Sequence, residues 1–305
     1  MPSDPGDDAV RRSKVLDREE YIEQEYFFRV YRERLQEGVP SQEILKVIQE
    51  EILATTRLPI AIDFMRSEIL HNGRVSDAMA RLPHYFAPFQ AFVMQRADDD
   101  EARFEQLTAL LILEREAHYR ARNPSPAGLF VYQLECIARN RLGYTDGMLA
   151  MSMDPLFDDQ WSDWIRRARF ALGSTELAQL IFRASRHVAT IRQRKPLTPP
   201  GTADDTDQPS DEQRTFLFGD QEGRIAKANI GRDPFYFFAA LQRQLDYPGV
   251  PRSTGDDKDK QIPSVIEARL QKIEQRLKLI ELEQKGGIDL TKFYRENREQ
   301  LKPLE

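Results

Sequence analysis

The chain has 305 residues, 40% of them hydrophobic and 10% aromatic, enough for one large or two modest domains with a real core. Its 44 basic and 50 acidic residues are spread along the chain and leave a formal net charge of −6, so no global field attracts a phosphate backbone and nucleic acid is not an expected partner. The single cysteine, Cys136, sits among Val131, Leu134 and Ile137, which excludes a disulfide scaffold within the chain and reads as a buried, inert thiol.

Residues 1–16 are polar and read as a disordered tail, without the apolar stretch of a signal peptide. A helix is predicted from Asp17, with Glu20 completing a capping-box-like pair, and with Ile22, Tyr26, Phe27, Val30, Tyr31 and Leu35 forming a broad apolar face. Gly38 suits the left-handed position after that helix, and Ser41 is placed to cap the next, whose Ile44, Leu45, Ile48 and Ile52 recur at helical spacing. A third segment begins near Pro59, turns Ile62, Phe64, Met65 and Ile69 inward and stops at Asn72-Gly73; Ser76-Asp77 then restarts the chain. Pro88 fits a first helical turn ahead of Phe89, Phe92 and Val93. The acidic run Asp98-Asp99-Asp100 interrupts, and its last members are placed to cap a long helix in which Phe104, Leu107, Leu110, Leu111, Glu114 and His118 share a side, ended by Asn123-Pro124. Loops this short favour antiparallel neighbours, so the expected fold class is all-α, an antiparallel helical bundle.

Several phrases in this stretch resemble a known family. Gly38-Val39-Pro40 before a Ser-initiated helix, Gly73-Arg-Val-Ser-Asp-Ala-Met79, Pro83-x-x-Phe86-x-Pro88 and the Leu-rich helix running into Leu113-Glu114-Arg115-Glu116 are similar, in order and spacing, to the F-type domain of type II secretion systems, also found in the platform protein of type IV pili. The resemblance covers residues 26–122. Two features depart from it: Ala97-Asp98-Asp99-Asp100-Glu101 stands where the family usually writes Gly-Glu-x-x-Gly, and Arg122 leads into Asn-Pro-Ser-Pro and another amphipathic segment where family members cross the membrane. The resemblance therefore implies a membrane-free relative: a non-enzymatic interaction module docking to secretion or pilus machinery, such as its ATPase or platform subunits. The residues expected to dock are exposed members of the 76–89 corner, including His84 and Tyr85, and the turn Asp98, Asp99, Asp100 and Glu101.

Beyond that domain, residues 17–122, a helical extension is expected over 125–195. It comprises a helix over 129–142 ended by Gly143, a break at Asp154-Pro155, a helix over 158–172 with Trp161, Ile165 and Ala168 aligned, and one long helix after Ser174 carrying Leu177 through Ile191. Phe157 stands eleven residues before Ala168, as Phe86 stands eleven before Ala97, a self-similarity expected of a shortened second repeat. Residues 196–213 read as a linker; within 214–247, Phe216-Leu217-Phe218 reads as a short strand-like or irregular patch, and Asp233-Pro234 opens an aromatic-rich helix. A second linker, 248–262, precedes a C-terminal helical segment, 263–305, of coiled-coil phase, for which packing on its own chain and homodimerisation stand as alternatives.

Catalytic signatures are sparse. Glu68-x-x-His71 has the spacing of a di-iron ligand pair, but no second such pair exists. Glu114 and His118, one turn apart, are the weak metal candidates, and a metal-binding helical enzyme is the minor alternative to a helical adaptor unrelated to secretion. No phosphate loop or nucleophile elbow occurs and no cofactor is implied. The most apolar short run, 235–241, is far below the roughly 20 residues a bilayer requires. A cytoplasmic location, peripheral to the inner membrane only through partners, is the expectation.

Overall fold

In the computed structural model, which describes residues 15–99, 104–194 and 216–252, the helix stops encoded by glycine fall where the chain turns. Helix α1 (Arg18–Gln36) ends before Gly38 and α3 (Leu58–Asn72) ends on Gly73, both left-handed with φ of 82° and 73°. Between them α2 (Ser41–Glu51) buries Ile44, Leu45 and Ile48. Its extended cap position is Pro40, so Ser41 lies inside the helix rather than capping it.

Acidic residues of α1 act on a neighbour instead of on their own helix. The Arg57 amide donates to both Glu20 carboxylate oxygens, at 2.9 and 3.1 Å, and the Leu53 amide donates to Glu23 at 3.1 Å. Two carboxylates from α1 thereby satisfy amides leading into α3 and complement the positive end of its dipole. The capping box expected between Asp17 and Glu20 is absent for that reason: Glu20 is already engaged, and Asp17 makes no side-chain cap.

Helix α4 (Val75–Ala80) leads into a corner, and α5 (Pro88–Ala97) starts on its proline as expected. The rings of Phe27, Phe28 and Phe86 meet at centroid distances of 5.2 to 6.4 Å and anchor that corner to α1. A buried amide relay fixes its orientation: Gln24 donates to the Tyr85 carbonyl at 3.1 Å, Gln90 donates to Gln24 at 3.2 Å, and the Ala87 amide donates to Gln90 at 3.0 Å. Helix α6 (Gln106–Arg120) lies along α1 and is covered on nearly every side, whereas the sequence pattern marks only one stripe of it as apolar.

In the second half α7 (Pro126–Asn140), almost wholly buried, runs to α8 (Tyr144–Ser152) and α9 (Asp159–Ala171), whose cap Asp158 accepts from the Trp161 amide at 2.8 Å. The long helix expected after Ser174 is two helices, α10 (Leu177–Arg183) and α11 (Arg186–Arg194). The chain breaks because residues 217–218 pair there: the Leu217 amide donates to the Ala184 carbonyl and the Arg186 amide to the Phe218 carbonyl, both at 3.0 Å. Phe218 is driven to that place by Trp161, Trp164 and Phe130, at 5.1, 5.5 and 6.1 Å. The residues after it form α12 (Asp220–Ala228), a helix not expected from the sequence.

Helix α13 (Pro234–Leu245) buries Phe237, Phe238 and Leu241 and packs on α7, so the aromatic segment docks on the bundle. Helices α10 and α11 pack on α12; the long neighbour that α1 finds in α6 is supplied to α7 by α13. Among the described residues there is no strand or sheet, only two isolated bridges, and the fold is all-α. The polar start 1–14, the linker 196–213, residues 253–262 of the second linker and the C-terminal segment 263–305 lie outside the described residues.

Candidate functional site

A cleft of about 890 Å³ opens between the α4–α5 pair and the α8–α9 pair. Its floor is apolar: Met79, Phe86, Phe92 and Ala150 are buried beneath it. Leu149 and Met153, one helical turn apart, line it while remaining 40% and 38% exposed. The charged and titratable lining consists of Asp77, His84, Asp146, Asp159 and Arg166.

The fold holds the two walls at close quarters. A Cβ on Gly147 would lie 2.5 Å from Ile137 Cδ1 and 3.1 Å from Phe92 Cε1, so α8 reaches α5 and α7 only because this position lacks a side chain. Arg96, on α5, donates to the Leu142 carbonyl at 2.8 Å and faces Asp146 at 3.7 Å, tying α5 to the start of α8. On the α9 side Arg166 faces Asp163 at 3.7 Å. The Gln24–Gln90 relay and the buried Phe86 ring hold the opposite wall.

The residues marked by sequence as docking candidates divide. His84 is exposed and lines the cleft. Tyr85 is 3% exposed, with its ring 5.0 Å from that of Phe86, and burial pushes its phenol well above its ordinary pKa; it is a core residue and no part of an exposed docking face. Asp98 accepts from the Ser76 amide at 3.1 Å and so caps α4, while the cap position of the long helix α6 is Glu105, which makes no side-chain cap. Asp99 faces Arg96 at 3.6 Å, while Asp100 and Glu101 lie outside the described residues.

The metal candidates do not converge. Glu114 accepts from Arg32 at 3.0 Å, and His118 Nδ1 lies 3.0 Å from Glu25, so each links α6 to α1 separately. Glu68 pairs with Arg81 at 2.6 Å, away from any second histidine pair. Among the described residues no group of three or more His, Cys, Asp or Glu side chains is placed to hold a metal ion.

Sequence reasoning missed a buried ionic node beside the cleft's helices. Arg120 donates to Glu116 through Nε at 2.8 Å and reaches both Asp154 oxygens, one of them at 3.2 Å. Gln133 donates to Asp154 at 3.3 Å, and the Tyr21 ring lies 5.8 Å from the guanidinium. Desolvation opposes the charge on Arg120, but Asp154 and Glu116 outweigh it and hold its pKa above the ordinary value. Burial pushes the Glu116 carboxyl up, with Arg120 opposing. The local signal was an i,i+4 Glu-Arg pair, which looks the same on a wet face. Tertiary packing alone distinguishes them: Asp154, beside the Pro155 break, brings the end of α8 against the end of α6.

These contacts suit the node to fixing helices and the cleft to accepting something. Apolar side chains entering from outside would meet Leu149, Met153 and the floor, and polar flanks would meet the charged lining. No family model, no curated protein and no solved structure matches this chain.

Proposed function

We propose that the chain is a helical protein-interaction module that docks a partner protein in the cleft between α4–α5 and α8–α9. The observation that carries this reading is the pair Leu149 and Met153, exposed one turn apart over a buried apolar floor inside a concavity of about 890 Å³. Scattered exposed apolar residues such as Ile60 need no explanation, but two side chains sharing one hollow do. The resemblance of residues 26–122 to the type II secretion F-type domain supplies the partner class: secretion or pilus machinery, met in the cytoplasm. No helix among the described residues is long and apolar enough to cross a membrane, which accords with a member of that class working through partners.

The test is photo-crosslinking in the native cell from an amino acid placed at Met153, with Ile60 as the distant control. A discrete adduct from Met153 but not from Ile60, containing a secretion or pilus component, is expected. An adduct with an unrelated protein would favour a general adaptor, and equal or absent crosslinking at both positions would remove the docking reading.

A further inference from the structure

Resting on the docking reading, we infer that the segment the cleft accepts is an amphipathic helix carrying Lys or Arg beside its apolar anchors. Two features of the site select this occupant. The first is shape. The cleft is walled by α4, α5, α8 and α9 with the 81–87 corner, and among the described residues there is no strand whose edge an extended segment could extend. Leu149, on α8, and Met153, its C-cap, stand exposed at i and i+4, the spacing at which side chains of one helix meet the grooves of another.

The second feature is charge. Three carboxylates, Asp77, Asp146 and Asp159, line the cleft against one guanidinium, that of Arg166. Arg166 itself faces a further carboxylate, Asp163, and Asp146 is met by Arg96. An acidic helix would bring like charge against this lining, whereas a basic one would gain both attraction and faster encounter. The apolar floor sets how tightly a helix seats, and the carboxylates decide which helix does so.

Binding of fluorescent helical peptides to the full chain, read by anisotropy, tests this. The peptides share one apolar stripe and carry Lys/Arg, Gln or Glu at the flanking positions. The Lys/Arg peptide is expected to bind about tenfold more tightly than the Glu peptide at low salt, and the gap should close as salt rises, because rim charges are screened within a Debye length. Asp77→Asn with Asp159→Asn should shrink that gap several-fold and leave the Gln peptide's affinity unchanged. Equal or tighter binding of the Glu peptide would overturn the charge assignment while leaving the docking reading in place. Failure of every peptide alongside a successful Met153 crosslink would overturn the helical occupant alone, and failure of both would remove the docking reading as well.

Discussion

The Glu116–Arg120–Asp154 node and the α4–α9 cleft draw on the same side chains, aspartate and arginine, under opposite conditions. At the node the charges are out of water: Arg120 and Glu116 side chains are 1% and 0% exposed, and each charge is met by an opposite one. At the cleft the carboxylates of Asp146 and Asp159 stand exposed around an apolar hollow. A buried charge is expensive unless paired, so the node is bound to its geometry; a rim charge stays solvated even where it is paired, as Asp146 is with Arg96, and remains within reach of an incoming segment. The difference assigns stability to one region and recognition to the other, and substitutions can be chosen to break either half of that assignment.

The largest effect is expected at Arg120. Arg120→Met strands two buried carboxylates and should cost about 3–5 kcal/mol of unfolding free energy, read from urea denaturation. Replacing Arg120, Glu116 and Asp154 together with apolar residues of similar size should recover most of that loss; no recovery would mean the node does more than pair its charges.

Next in size is a dependence on pH. Burial raises the Glu116 pKa in the folded state, so below about 4.3, the ordinary glutamate value, the group is protonated in both states and favours neither. As pH rises past that value the unfolded chain loses the proton first, and stability falls until the folded-state pKa is passed. Glu116→Gln has no such titration. The stability of the native protein relative to Glu116→Gln should therefore decline with rising pH through this window, and a constant difference would contradict the raised pKa.

A smaller effect is expected at the cleft's α4 wall. Asp98→Ala removes the cap on the Ser76 amide at the start of α4 and should cost about 1 kcal/mol. Asp98→Asn should retain most of it, and no loss in Asp98→Ala would show that this cap carries no weight.

How much of this the sequence discloses depends on how local the cause is. Gly38, Gly73 and Pro88 encode their turns through their own backbones, and the helices they delimit stand where the residue pattern puts them. The break between α10 and α11 has no such source. It arises because Phe218, distant in sequence, packs on Trp161 and brings its backbone to Ala184, and nothing in residues 177–191 marks it. Along α1 the period correctly turns Phe27, Val30 and Tyr31 inward but not Ile22, which is exposed, and it passes over Phe28, which the Phe86 corner covers.

The cleft was half legible for the same reason. Proline and histidine at the 76–89 corner drew attention to one wall, and His84 does line it; Tyr85 looked equally available, yet it is buried against Phe86. The other wall, Leu149 on α8 and Met153 at its C-cap, lies between Gly143 and the Asp154-Pro155 break, where no docking residue was expected. Only the approach of α8 to α5, permitted by Gly147, leaves those two side chains over a hollow instead of inside one.

The division of labour is tested most directly by Leu149→Gln, measured for urea midpoint and for affinity toward the Lys/Arg peptide on the same preparation. Leu149 is already part-exposed, so the stability change should stay within about 0.5 kcal/mol. The affinity should fall at least about tenfold, because a neutral amide replaces an apolar anchor without adding charge to the lining. An unchanged affinity would contradict the assignment of recognition to this cleft.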